Sequence, residues 1–220
     1  MIDSLKTAFY TLCTGVQSQG NIFTETAEFG PQDWGKYFEI QVSNSSLPSH
    51  LRSYLDQPCP FWENQTVKQT HYLFFIPENL PDDLSHLSNS VSKLYSCKAA
   101  QSLEGPYWGL ITKKPIPDSS GKTFSAQQEL IKSYSGYRIP KVNEAMLAIN
   151  TAFLKEDVRY FQGAGGQTHC EETSISGWPL AIGSMSNGKT LEIETTYGDW
   201  DESNGIAVIT GKNEVNFGNR

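Results

Sequence analysis

Two short stretches constrain this chain more than any other feature. His71-Tyr72-Leu73-Phe74-Phe75-Ile76 and Tyr107-Trp108-Gly109-Leu110-Ile111-Thr112 are aromatic and aliphatic, too brief for helices, and lack an apolar/polar alternation. Such runs predict strands buried in a core. The first stops at Pro77, and the second runs into a Lys113–Gly121 loop with Pro115 and Pro117. Elsewhere the apolar spacing is helical. Ile2, Leu5, Phe9, Leu12 and Val16 predict an amino-terminal helix, and Leu84, Leu87, Val91 and Leu94 a helix opened by Pro81. Phe124–Tyr134 predicts a third, stopped by Gly136, and Pro140 opens a fourth carrying Val142, Ala145, Met146, Ile149 and Phe153.

Beyond about residue 157 the helical period disappears. Val158–Phe161, Trp178–Ile182, Leu191–Glu194 and Ile206–Thr210 read there as short strands between Gly, Asn and Ser turns. Lys36–Val42 predicts one more strand. Residues 43–70 read as turns, with Pro48, Pro58 and Pro60 breaking any regular element. The expected fold class is α+β, with a mixed or antiparallel sheet and about four helices. No composition break or internal repeat divides the 220 residues, so a single domain, 1–220 and β-rich from about 157, is expected.

Charge narrows the partners. Lys and Arg number 17 against 24 Asp and Glu, a net charge of −7, so no basic face for nucleic acid is expected. No window approaches the ~20 apolar residues that span a bilayer, and no membrane insertion is expected. The amino terminus has Asp3 where a signal peptide would carry basic residues. A cytoplasmic location is the expectation, with signal-independent secretion left open. Cys13, Cys59, Cys97 and Cys170 form no CxxC pair and are expected as reduced thiols.

The most suggestive chemistry lies in Gly163-Ala164-Gly165-Gly166-Gln167-Thr168-His169-Cys170-Glu171-Glu172. Cys170 as nucleophile, with His169 and Glu172 beside it, is a candidate catalytic set. Adjacent strand residues point to opposite faces, so a base for Cys170 would come from His50, His71 or His86. The competing reading is a loop entering a strand with a buried cysteine. The glycine run is no phosphate loop, because no Gly-Lys-Ser/Thr follows. Asp199, Asp201 and Asn204 in the Tyr197–Gly205 turn offer oxygens suited to calcium, against the plainer reading of a solvated hairpin turn. Lys113, Lys114, Lys122 and Lys132 form a modest basic cluster that reads as a solvated face. Trp62, Trp108 and Trp200 are the candidate ligand-binding aromatics, and for Trp62 the alternative is a plug packing its loop onto the sheet.

Several segments together resemble an uncharacterised family of chlamydia-related environmental bacteria whose segments often accompany leucine-rich-repeat or F-box-like regions. They are Pro58-Cys59-Pro60-Phe61-Trp62, Val67-Lys68-Gln69-Thr70-His71, Tyr107-Trp108 with Leu110 and Thr112-Lys113, Lys122 with Gln127-Gln128, Tyr137 and Pro140 with Glu144-Ala145, and Thr168 with Cys170 and Glu172. They span roughly residues 50–210, and the resemblance implies kinship without a reaction. Phe124–Leu130 followed by Gly136-Tyr137-Arg138-Ile139-Pro140 and Glu144 is similar to the helix–YRLP–helix passage of formylglycine-generating-enzyme-like, C-type-lectin-like domains. That likeness implies a lectin-like carboxy-terminal half. The paired catalytic cysteines and Trp-Glu-Trp core of the active enzymes are missing, which implies a binding version. The combined expectation is a noncatalytic binding or interaction module, with a bacterial effector type among its readings, a protein or carbohydrate ligand and no cofactor. The alternative is a cysteine-nucleophile enzyme, a hydrolase or transferase acting through Cys170.

Overall fold

A computed structural model of the chain describes residues 28–42, 45–78, 105–162, 166–184, 191–196 and 204–211. The expected helices at 2–16 and 81–94 lie outside these residues.

Both apolar runs are strands. β1 (Glu28–Phe29) is followed by helices α1 (Pro31–Phe38), α2 (Ser49–Leu55) and α3 (Val67–Thr70), then β2 (His71–Ile76) and β3 (Tyr107–Thr112). β2 and β3 pair antiparallel along their whole length, His71 opposite Thr112 and Ile76 opposite Tyr107. β1 lies parallel to β2, and β7 (Ile209–Thr210) closes the other side of β3, giving a mixed sheet in the order β1-β2-β3-β7. Every residue of β2 is buried, which is why its sequence shows no alternation. Gly109 stands opposite Phe74, and a Cβ there would lie 3.1 Å from that ring, so the glycine makes room for the aromatic.

The second sheet is antiparallel: β4 (Thr168–Thr173), β5 (Pro179–Ser184) and β6 (Leu191–Thr195) in that order. Helix α4 (Phe124–Lys132) starts where the Thr123 hydroxyl accepts the Ala126 N–H at 3.2 Å. Helix α5 (Val142–Glu156) packs against strands of both sheets. This explains a feature of its sequence: Leu147 and Ala148 are buried as well as the expected Val142, Ala145, Met146 and Ile149. A helix covered on two sides is apolar nearly all round. Its buried polar residues are satisfied along the helix, Asn150 donating to Met146 O at 3.0 Å and Thr151 to Leu147 O at 2.6 Å.

Three expectations are corrected. Lys36–Phe38 is the last turn of α1, not a strand. Gly30 N–H donates to Asp33 Oδ2 at 2.8 Å to cap that helix, Pro31 begins it, and Trp34 Nε1–H anchors it to Phe75 O at 2.8 Å. Residues 43–70 are not devoid of regular structure. Pro48 sits at the entry of α2, where a missing N–H costs nothing, and Thr66 N–H donates to Gln69 Oε1 at 2.7 Å to cap α3. Val158–Phe161 forms no strand: Tyr160 and Phe161 are buried by packing, with Phe161 at φ 59°. The described residues thus hold five helices, one of them a single turn, around an α+β core.

Candidate functional site

The Cys170 region comes first, because three candidate residues converge there by sequence. β4 turns His169 away from Cys170. Cys170 is fully buried in the main core, and its thiol donates weakly to Thr168 O at 3.9 Å. Burial, with the negative charges of Glu172 and Glu144 added, pushes the thiol pKa well up. His169 points the other way: its Nδ1 lies 2.7 Å from Gln127 Oε1, and Phe124 meets its ring edge-on at 5.4 Å. Gln127 Nε2 donates to Ser119 O at 2.8 Å and Asn204 O at 2.9 Å, which orients the amide and makes His169 Nδ1 the donor to Oε1. Glu172 Oε2 accepts the Val142 N–H at 2.9 Å, so it caps the first turn of α5. Burial raises its pKa, partly opposed by that hydrogen bond. Cys170, His169 and Glu172 therefore serve the core, a buried amide network and a helix end, and do not share a reaction centre.

The candidate metal ligands Asp199 and Asp201 lie outside the described residues. Asn204 is buried, with its carbonyl on Gln127. Among the described residues no three His, Cys, Asp or Glu side chains gather to hold an ion. Of the ligand-binding aromatics, Trp200 lies outside the described residues. Trp108 is buried edge-on against Phe75 at 5.4 Å. Trp62 is half-buried, 5.9 Å from Phe61 in a tilted edge contact, which favours the plug reading of its loop.

Two arrangements are visible only in the structure. The first is the turn between β4 and β5. Ser174 N–H donates to Trp178 O at 2.7 Å, Gly177 N–H to Ser174 O at 2.9 Å, and Trp178 N–H to Ser174 Oγ at 3.1 Å. Gly177 has φ +81°, the left-handed position that a three-residue hairpin loop needs. This well-bonded tip presents Ile175, 79% exposed, and Trp178, 38% exposed. Ser174-Ile175-Ser176-Gly177 was the available sequence signal, a hairpin turn with an apolar residue at its tip. Glu171 on β4 and Glu194 on β6 are also exposed.

The second is a hydrogen-bonded row of five side chains. Cys59 Sγ lies 3.2 Å from Thr70 Oγ1, which is 2.8 Å from His71 Nδ1. His71 Nε2 lies 3.1 Å from the Tyr137 hydroxyl, itself 2.7 Å from the Tyr54 hydroxyl. Burial pushes His71 down to about 3, with Lys113 acting in the same direction, so the imidazole is neutral. The same burial holds Tyr137 far above the usual phenol value. Phe61 covers the row, with its ring 4.9 Å from Tyr137 and 6.1 Å from His71. No spacing rule in the sequence joins residues 54, 59, 70 and 137.

Beside α5, Arg138 Nη1 and Nη2 donate to Glu144 at 2.7 and 2.5 Å, the Lys141 N–H donates to it at 2.7 Å, and the Tyr107 hydroxyl completes its shell. Desolvation alone would raise this carboxyl, but its donors, Arg138 foremost, hold it below the usual carboxylate range. The cluster ties β3 to α5 and the Arg138 strand-like segment.

Compared with known proteins, the chain matches no family model, no curated protein and no solved structure. No helix among the described residues is long and apolar enough to cross a membrane.

Proposed function

We propose that this chain is a noncatalytic binding module whose recognition element is the β4–β5 hairpin tip and whose ligand is a protein. One observation carries the reading: Ile175 and Trp178 stand exposed on a turn held by three hydrogen bonds. Large apolar side chains on a pre-ordered turn lose little entropy on binding, and tryptophan is enriched among residues that dominate interface energies. A branched aliphatic on the same turn as the indole offers nothing to sugar hydroxyls and suits an apolar pocket. Exposed Glu171 and Glu194 in the same sheet, and the chain's net charge of −7, favour a basic rim around that pocket. The alternative, an enzyme acting through Cys170, draws no support from a sulfur that is fully buried with a raised thiol pKa.

The test pairs the wild-type chain with an Ile175→Ser/Trp178→Ser double variant. Both are used to capture proteins, and any retained partner is then purified and titrated against each. The expected result is a partner held at least ~30-fold more weakly by the double variant, equivalent to about 2 kcal/mol. A set of partners unchanged by the double substitution overturns the hairpin assignment. Binding on a glycan array that the variant loses would instead make the ligand a carbohydrate.

A further inference from the structure

We draw no further inference here: the strongest candidate, the half-buried aromatic patch of Phe61, Trp62 and Tyr134 where the loop at 57–67 meets the end of α4, is an apolar face, and nothing in the structure shows what covers it.

Discussion

Acidification tests the buried row most directly, through His71. In the folded chain its pKa is lowered to about 3 by burial, against 6.5 for the exposed side chain. The folded state therefore binds fewer protons than the unfolded state between those values, so stability is greatest above pH 6.5 and is lost as the pH falls towards 3. Between pH 7 and pH 5 the linkage amounts to about 2 kcal/mol, because the unfolded imidazole takes up its proton while the folded one does not. Glu156 and Glu172 are raised in the folded chain and act with the opposite sign as the pH falls through their range. The comparison with His71→Gln removes that background. Urea unfolding of both proteins at pH 7 and pH 5 should show a midpoint shift in wild type larger by about 1 M, taking a slope of about 2 kcal/mol per molar. The variant is expected to be less stable at pH 7, since it disturbs the Thr70 and Tyr137 contacts, but its pH dependence should be flatter. Equal losses in the two proteins would refute the assignment of a neutral, buried His71.

Two more substitutions probe the polar core. Arg138→Ala removes the main partner of a fully buried Glu144 carboxylate and should cost about 3 kcal/mol by urea unfolding, at the lower end for a broken buried pair because Arg138 itself is 29% exposed. Stability within 1 kcal/mol of wild type would show that the remaining donors suffice. Gln127→Leu strands two buried carbonyls and the His169 ring, and should cost about 3 kcal/mol by the same measurement. Gln127→Glu, which sets a buried carboxylate oxygen against the same two carbonyls, should cost at least as much at neutral pH, and indistinguishable leucine and wild-type curves would dismiss the network.

The segment 204–210 shows how the two sheets are joined. Gly205 O accepts the His169 N–H at 3.0 Å, Ala207 N–H donates to Thr168 Oγ1 at 2.7 Å, and Val208 N–H donates to Thr112 Oγ1 at 3.1 Å. Isoleucines and valine read as a strand here, yet only Ile209–Thr210 pair as one, because the segment crosses from β4 to β3. Thr112 and Thr168 are buried where β-branched residues would be expected to pack by shape alone. Their hydroxyls supply the backbone partners that a crossing segment cannot find in a ladder.

The sequence alone determined what depends on near neighbours in the chain. The apolar runs at 71–76 and 107–112 declared themselves as buried strands, and the periods through 124–134 and 142–153 marked α4 and α5, although α4 ends at Lys132, short of the expected Gly136 stop. The errors at Lys36–Val42 and at residues 49–55 are local too: Pro31 begins α1 and Pro48 stands at the entry of α2, and a proline at a helix start, as Pro48 shows, also reads as a break. What the tertiary structure decided is every relation between distant positions. It buried Cys170 and turned His169 towards Gln127, because strand geometry sends neighbours to opposite faces and only packing says which face is the core. It aligned Cys59, Thr70, His71, Tyr137 and Tyr54, and it left Ile175 and Trp178 outside. Apolar residues are identified by composition, but their exposure is set by which surfaces the folded chain has left to cover them with.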